Sequence, residues 1–310
     1  MASVSYVAVF RRNVMHGQFA WYDLMSPDIG ASKKFYPPVT GWTTEMWKGD
    51  YAMWVGPKGP LGGIGPATPS GIQPHWLAYV NVNDVDAAAS KVRSLGGKVL
   101  HGPEVIPDVG RFAIIADPQG AMLAIFKGDA GMEGHDGTYG HGKFTWHELM
   151  TSDYAGAFDF YRQLFGWQKI EEMDMGPAGK YLEYGLNGKM FGGIYNRSGR
   201  EETMAPRWLF YVGVPDINKS VDAVKRGGGN VVMGPMEVPG GSMVAVAIDA
   251  QGAGFGLHQQ AKAAAKPKAA KKAKPKKAAK KAKPRKAARK KPKTRSRPKK
   301  KAAKKARRRR

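Results

Sequence analysis

The chain has 310 residues, of which 42% are hydrophobic, and it contains no cysteine. It therefore lacks the disulfide framework that stabilises small secreted domains, and no run reaches the roughly eighteen apolar residues of a membrane span. The formal net charge of +25 is concentrated at one end: residues 261–310 hold 28 Lys and Arg and no Asp or Glu, against 22 basic and 25 acidic residues in 1–260. We expect a cytoplasmic protein without a membrane partner, made of a near-neutral body and a polycationic tail.

The first predicted domain covers residues 15–128 and follows a leader, 1–14, that we expect to be disordered. Alternating apolar residues predict a strand over 19–24. A helix is expected at 29–36 and should end at Pro37-Pro38, because proline lacks the backbone donor that a helix needs. The rest of this half is predicted to form three short strands and a Gly/Pro-rich loop: 43–48, 51–55, 62–64 and 65–74.

The same order of elements then recurs within the domain. A strand is predicted at 76–82, and Asp84 is a helix cap of the type that precedes a helix ending at Gly96-Gly97. Short strands are predicted at 98–100, 112–116 and 122–126. Each half runs strand, helix and three strands, so the domain is predicted to be a pair of βαβββ units.

The second predicted domain, 142–260, repeats the first after a Gly-rich linker at 129–141. The stretch GKFTWHELMTSD at 142–153 matches GQFAWYDLMSPD at 17–28, a displacement of 125 residues. Gly-Gly-Ile recurs at 62–64 and 192–194. A period this long indicates tandem domains rather than a solenoid. The predicted fold class is α+β, with two domains in tandem.

These motifs resemble the vicinal oxygen chelate superfamily, which has the glyoxalase, bleomycin-resistance and extradiol-dioxygenase fold. The resemblance rests on Leu-Met-x-x-Asp in the first strand, Phe-Tyr seven residues later, Gly-Trp after the helix and Asp-Pro-Gln-Gly before the last strand. It covers residues 15–260. It implies two tandem glyoxalase-like domains, each with its sheet curled around a funnel-like pocket. This scaffold hosts many activities, so the resemblance is specific for the fold rather than for a reaction.

Enzymes of this superfamily bind a divalent metal through His, Gln or Glu side chains on three strands. The resemblance places those positions at Trp21, Leu77 and Ala124 of this chain. None of these side chains offers the imidazole, carboxylate or carbonyl donors of a divalent site, and neither do those at the equivalent positions of the second domain. We therefore expect no metal and no other cofactor, which argues against metal-activated glyoxalase or dioxygenase chemistry. The counterparts in the second domain are Trp146, Leu209 and Gly256.

Polar and aromatic residues on the expected pocket face form the candidate site. Asp23 and Glu148 are candidate acid–base residues, because a carboxyl group repeated beside a core tryptophan is costly to bury unpaired. His258 is a third candidate. The alternative is that the tryptophans fill the space that a metal and its substrate occupy in related enzymes. The aromatic residues predicted to bind a ligand are Trp21, Tyr79, Trp146 and Tyr211.

The tail, 261–310, consists almost wholly of Ala, Lys, Pro and Arg. It cannot bury an apolar core, so we expect it to be disordered when free. It resembles the C-terminal tail of linker histones, and we expect it to bind DNA or RNA phosphates without sequence specificity, in association with the nucleoid. A solvated tail with no single partner is the alternative. The residues predicted to contact phosphates are Lys271, Lys272, Lys276, Lys277, Arg285, Lys290, Lys291, Arg307, Arg308, Arg309 and Arg310.

Three functions remain open on the sequence. The first is a metal-free small-molecule-binding protein that its tail tethers to DNA or RNA. The second is a metal-independent enzyme, a lyase, isomerase or oxidoreductase, in which the acidic residues or His258 act as acid or base. The third is drug sequestration of the bleomycin-resistance type. The pattern is compatible with a monomer whose domains pair and with a homodimer.

Overall fold

Two eight-stranded mixed sheets form the body of the protein, one from each copy of the repeat. The computed structural model describes residues 15–48, 51–66, 73–129 and 137–261. The predictions for the leader, the centre of the linker, most of the 65–74 loop and the tail lie outside these ranges. Within the described part, the predicted α+β fold class with two domains in tandem is confirmed.

The first domain carries the first sheet and two helices. In the sheet, the strand order is β2-β3-β4-β1-β5-β8-β7-β6, with β1 parallel to β4 and antiparallel to β5. The elements are β1 Phe19–Ser26, α1 Ile29–Thr40, β2 Thr43–Met46, β3 Ala52–Gly56, β4 Gly59–Pro66, β5 His75–Asn81, α2 Val85–Ser94, β6 Lys98–Ile106, β7 Gly110–Ala116 and β8 Met122–Gly128.

The second domain repeats this topology, with the strand order β10-β11-β12-β9-β13-β16-β15-β14. Its first strand, β9, is again parallel to the fourth and antiparallel to the fifth. The elements are β9 Phe144–Thr151, α3 Tyr154–Phe165, β10 Gln168–Asp174, β11 Lys180–Leu186, β12 Lys189–Asn196, β13 Arg207–Gly213, α4 Ile217–Arg226, β14 Asn230–Glu237, β15 Met243–Ile248 and β16 Gly254–Gln259.

Each of the four described α-helices begins after an aspartate that accepts a hydrogen bond from a backbone N–H of the first turn. This cap satisfies a donor that has no partner inside the helix. The helices are 10 to 12 residues long, and within the described ranges none has the length and apolar character that a membrane span needs. The capping residues are Asp28, Asp84, Asp153 and Asp216.

Helix α1 does not end at the two prolines, as the sequence predicted. It continues through Pro37 and Pro38 to Thr40 and ends at Gly41, whose left-handed φ of 80° allows its N–H to bond the Pro37 carbonyl at 2.9 Å. Pro38 is exposed and Pro37 is partly exposed. The helix therefore loses two backbone donors on its solvent side, where water can bind the freed carbonyls, while the ring-fixed φ of proline stays helical.

Strand β6 is also longer than predicted. The sequence favoured a strand only at 98–100, whereas β6 continues to Ile106 through two shifts in its pairing with β7. The shifts follow Val99 and His101, near the Gly102-Pro103 pair. Such bulges interrupt the period-two alternation from which a strand is recognised.

The two domains pack their helix-side sheet faces against one another in a single core. At its centre, the equivalent residues Tyr22 and His147 meet, with the Tyr22 hydroxyl 2.6 Å from His147 Nε2. The other ring nitrogen, Nδ1, lies 2.9 Å from the Phe191 carbonyl, which can only accept, so Nε2 accepts from Tyr22. Because positions related by the repeat touch each other, the contact marks a pseudo-two-fold axis between the domains.

Two matching hydrogen-bond chains tie the domains together on either side of this axis. Tyr36 of the first Phe-Tyr motif donates to Asp249 at 2.8 Å, and the Trp76 indole donates to Tyr36 at 3.0 Å. In the mirrored chain, Tyr161 donates to Asp117 at 3.0 Å and receives from the Trp208 indole at 3.1 Å. The repeated Phe-Tyr and Asp-x-Gln-Gly motifs are therefore partners across the domain interface.

Candidate functional site

The first strand of each domain divides its side chains between the core and the opposite face of the sheet. Tyr22 and Leu24 of β1 point into the core. Their neighbours Trp21 and Asp23 therefore lie on the other face, here called the site face, because successive strand residues alternate. Pairing with β5 sets Trp21 opposite Tyr79. The structure thus brings together three of the residues that the sequence singled out.

In the first domain, the Asp23 carboxylate is the centre of a hydrogen-bonded set. The Trp21 indole donates to Asp23 Oδ1 and to the Tyr51 hydroxyl, both at 2.9 Å, and the Tyr51 hydroxyl donates to Asp23 Oδ1 at 2.7 Å. The Tyr79 hydroxyl and the backbone N–H of Gly63 also lie close enough to lower the pKa of this carboxyl. Four donors therefore surround Asp23, two of them bonded to Oδ1, and only 9% of its surface is exposed.

The second domain holds the same residue types with a different pattern of donors. Tyr181 donates to Glu148 Oε1 at 2.7 Å, and Tyr211 donates to Oε2 at 2.8 Å. The Trp146 indole donates to the Tyr181 hydroxyl at 2.9 Å. Tyr195 extends this set, since its ring stacks on Tyr181 at a centroid distance of 6.0 Å. Glu148, Trp146, Tyr181 and Tyr195 are all partly exposed.

Tyr51 and Tyr181 were missed by the sequence analysis, although the repeat marks them. Each follows a glycine by two positions, as Gly49-x-Tyr51 and Gly179-x-Tyr181, and the displacement of 130 residues equals that of the Gly-Gly-Ile motifs. Tyr51 directly precedes β3 and Tyr181 lies in β11, away from the strands that supply metal ligands in the superfamily. The metal-ligand positions alone therefore do not point to Tyr51 and Tyr181 in the sequence.

The second glycine of each Gly-Gly-Ile motif makes room for these tyrosines. A Cβ on Gly63 would lie 1.8 Å from the Tyr51 hydroxyl, and one on Gly193 would lie 2.1 Å from the Tyr181 ring. Real Cβ contacts of this length do not occur, so any side chain there would displace the tyrosine from its carboxylate. The motif is therefore part of the site as well as part of the strand.

Burial governs the acid–base properties of both sites. It raises the pKa of the Asp23 carboxyl against the opposing effect of its hydrogen bonds to Tyr51, Tyr79 and Trp21. Burial also raises the pKa of the Glu148 carboxyl, which the negative charge of Glu201 raises further. Burial and the adjacent carboxylates raise the pKa values of the four site tyrosines, so these hydroxyls are neutral donors: Tyr51, Tyr79, Tyr181 and Tyr211.

His258 is not hydrogen-bonded to Glu148 in the structure. Its Nδ1 lies 2.9 Å from Thr145 Oγ1, and Thr145 itself donates to the Tyr211 carbonyl at 3.2 Å. The ring also packs edge-on against Tyr139. Burial lowers the pKa of His258 to about 4, so the imidazole is neutral at pH 7. Its contacts place it beside the irregular pairing of β9 with β13 rather than in the carboxylate set.

The side chains at the superfamily's metal positions do not fit a divalent ion. Asp23, the carboxylate beside Trp21 and Leu77, is already surrounded by four protein donors, two of them bonded to Oδ1. In the second domain, a Cβ on Gly256 would lie 2.2 Å from the Tyr211 ring, so the aromatic ring lies where a ligand side chain would begin. Over the described ranges, no three or more His, Cys, Asp or Glu residues are grouped as a metal site requires. Function without a metal nevertheless stays a prediction.

The residues predicted to bind nucleic acid, from Lys271 to Arg310, lie outside the described residues. The prediction for the tail therefore rests on its composition alone.

The sequence profile of the Glyoxalase/Bleomycin resistance protein/Dioxygenase superfamily matches residues 18–125 and 143–256. The anthracycline biosynthesis protein DnrV of Streptomyces peucetius is 29% identical over 264 residues, which covers 78% of this chain and 92% of DnrV. CFP32 of Mycobacterium tuberculosis, named "Putative glyoxylase", is 28% identical over 255 residues, which covers 80% of this chain and 96% of CFP32.

Solved structures with the same fold include a glyoxalase and several dioxygenases. The Mn(II)-bound glyoxalase of Novosphingobium aromaticivorans superposes with a TM-score of 0.57 at 14% identity, covering 80% of this chain and 83% of that one. Homoprotocatechuate 2,3-dioxygenase of Arthrobacter globiformis gives a TM-score of 0.55 at 14% identity, with coverage of 83% and 84%. At this level of identity, the likeness concerns the fold alone.

Proposed function

Because the chain belongs to the Glyoxalase/Bleomycin resistance protein/Dioxygenase superfamily, we propose that it is a small-molecule-binding protein that works without a metal at the superfamily's ligand positions. The ligand would bind on the site face of the second domain, over Trp146, Glu148 and the neighbouring tyrosines. The first domain would serve as its structural partner, in which the equivalent aromatic residues surround a less exposed carboxylate, Asp23.

The observation that carries this proposal is the contrast in how the two carboxylates are satisfied. Four donors surround Asp23, two of them bonded to the single oxygen Oδ1, whereas two described donors act on Glu148, one at each oxygen. Glu148 therefore keeps lone pairs for a ligand. Partly exposed aromatic rings with a few converging polar groups are typical of small-molecule sites.

The relatives are compatible with a role in small-molecule metabolism. DnrV, by its name, takes part in anthracycline biosynthesis, and the match covers nearly its whole length. We take from this a class of compound to test first, polycyclic aromatic molecules, whose flat rings suit a site walled by Trp146, Tyr181 and Tyr195.

A ligand screen by thermal shift tests the proposal. Compounds that bind the native state raise Tm by mass action, with a stabilisation of about 2.7 kcal/mol at a hundred times Kd. We expect hits for the full-length chain that weaken strongly in Glu148→Gln and persist in Asp23→Asn, its matched control in the first domain. Hits that respond to Asp23→Asn and not to Glu148→Gln would place the ligand in the wrong domain, and a broad screen without hits would contradict a binding role.

A metal-independent enzyme is the second candidate, and the raised pKa of Glu148 favours it. A carboxyl group whose pKa moves toward neutrality is better able to exchange protons with a substrate. If a screen hit is turned over, Glu148→Gln should lower kcat while Tyr195→Phe, which keeps the ring over Tyr181, should mainly alter KM. An activity that is unchanged in Glu148→Gln would rule out this acid–base role.

We further propose that the tail binds nucleic acid non-specifically and holds the body near DNA or RNA. This rests on the 28 basic and zero acidic residues of 261–310. If about eight phosphate contacts form, log K should fall with log salt at a slope near −7.

A gel shift with the full-length chain and with a version ending at Gln260 measures this contribution. The full-length protein should bind duplex DNA and single-stranded RNA of any sequence, with affinity that falls steeply as salt rises, and the shortened version should not. Equal affinity of the two versions would contradict the tether.

A further inference from the structure

The aromatic cage of the second domain, defined as Trp146, Tyr181, Tyr195 and Tyr211 around Glu148, has a negative charge that the described residues leave unbalanced. The two oxygens of Glu148 accept from the hydroxyls of Tyr181 and Tyr211, and the carboxylate of Glu201 lies near enough to raise the pKa of Glu148. None of these three groups is cationic. Glu201 is held beside the cage by the Tyr195 hydroxyl, at 3.2 Å from its Oε1.

One described cation of this region, Arg207 at the start of β13, is turned to another partner. It lowers the pKa of Tyr195, and its Nη2 atom lies 3.3 Å from the sulfur of Met204. Arg197, directly after β12, donates to the Met204 carbonyl. The arginines thus brace the loop that carries Glu201 and do not neutralise Glu148.

We infer that the ligand of this site is cationic: a protonated or quaternary amine attached to an apolar body, bound with its charge against Glu148 and among the aromatic faces of the cage. This inference rests on the proposed function and specifies its ligand class. A partly buried carboxylate without a counter-charge gains from a cationic partner, and the faces of Trp and Tyr attract cations through their ring quadrupoles. The apolar body would lie on the adjoining part of the site face.

The first domain supplies an internal comparison. Its Asp23 carboxylate is also without a cationic partner among the groups that act on it, but four protein donors surround it and its 9% exposure leaves little of it accessible to a ligand. The position equivalent to His258 is Phe126, whose ring lies 6.2 Å from that of Tyr79. We therefore expect the cation to bind in the second domain only.

Two probes that differ in charge test the inference. The probes are 3-phenylpropylamine, which is protonated at neutral pH, and its neutral N-acetyl derivative, each titrated by calorimetry into the full-length chain. The amine should bind about tenfold more tightly than the amide or better, and this preference should vanish in Glu148→Gln and persist in Asp23→Asn. Circular dichroism of Glu148→Gln checks that the variant is folded.

Several results would overturn the inference. These are amide binding as tight as amine binding, a preference for the amine that survives Glu148→Gln, or no amine binding at millimolar concentration. They are distinguishable from failure of the proposed function: a neutral screen hit that still depends on Glu148 would keep a binding site in the second domain and reject only the positive charge of its ligand.

Discussion

The two domains share one scaffold and one set of residue types, yet they treat their central carboxylate differently. Asp23 is short, 9% exposed and surrounded by four donors, with the Trp21 indole bonded directly to it. Glu148 is one methylene longer and more exposed, and its tryptophan donates to Tyr181 alone, whereas Trp21 donates to both Asp23 and Tyr51. The longer side chain thus accompanies a carboxylate with fewer protein donors. In the proposed function, duplication lets one copy stabilise the fold while the other keeps a binding surface.

The largest loss of stability is expected from substitution of the first glycine of each Gly-Gly-Ile motif, where the two domains are the same. A Cβ on Gly192 would lie 1.7 Å from the His147 carbonyl oxygen, and one on Gly62 would lie 2.0 Å from that of Tyr22. Because the opposing atoms are backbone, Gly192→Ala and Gly62→Ala should each cost more than about 4 kcal/mol. Urea unfolding measures the loss. Gly30→Ala, in helix α1, is the control and should be neutral or stabilising; equal costs at Gly30 and Gly192 would contradict the clash.

The next largest loss of stability is expected to differ between the two domains. Tyr181→Phe leaves Glu148 Oε1 and the Trp146 indole without their described partners, whereas after Tyr51→Phe the Trp21 indole still bonds Asp23. We expect Tyr181→Phe to cost about 2 kcal/mol and Tyr51→Phe about 1 kcal/mol, in line with the cost of leaving polar groups unsatisfied. Urea unfolding of both variants at pH 7 is the measurement. A greater loss for Tyr51→Phe would show that Asp23 depends on its donors more than Glu148 does.

A pH-dependent difference follows from His258, which replaces Phe126 of the first domain. Its pKa falls to about 4 on folding from an ordinary value of about 6.5. The stability that this neutral imidazole contributes is present above pH ~6.5 and is lost as pH falls through about 4. Because the ring is partly exposed, we expect a loss of about 1–2 kcal/mol over that window. Unfolding free energies of the wild type and His258→Phe at pH 7 and pH 4 test this; parallel pH profiles would contradict the assignment.

The smallest effect concerns Asp23. Burial raises its folded pKa, so its contribution to stability is full below the unfolded pKa and declines as pH rises through the folded value. Between pH 4 and pH 7, the free energy of unfolding of Asp23→Asn should therefore rise relative to that of the wild type, by less than about 1 kcal/mol. The same unfolding series provides the measurement. A variant whose stability falls relative to the wild type as pH rises would contradict a raised pKa of Asp23.

Most of the fold could be predicted from the sequence because it is encoded twice. Local motifs that recur at a fixed displacement, with capping aspartates and glycine stops in the same places, indicate packed elements and variable loops. The wrong predictions concern the end of helix α1 and the length of β6, where tertiary packing overrides a local sequence pattern. At Pro37-Pro38 the helix continued since the lost donors face solvent, and in β6 the bulges hid the strand period.

The grouping of the candidate residues was predicted in part. Strand alternation predicted that Trp21 and Asp23 share one face, with Tyr79 on another strand, and the structure brings these three side chains together. The sequence could not show that Tyr51 and Tyr181 complete the sets. Their hydroxyls reach the carboxylates across a hairpin and over a glycine, which depends on packing rather than on residue spacing. Nor could it show that His258 turns to Thr145, since the bulge that brings them together has no sequence pattern.

The most direct test of a ligand site in the second domain is fluorine NMR of the full-length chain labelled with 5-fluorotryptophan. The chain has eight tryptophans, and single substitutions to phenylalanine assign the resonances of Trp21 and Trp146. On addition of the compound that raises Tm most in the screen, the Trp146 resonance should shift with occupancy while that of Trp21 stays in place. A shift of the Trp21 resonance with no change at Trp146 would contradict this account.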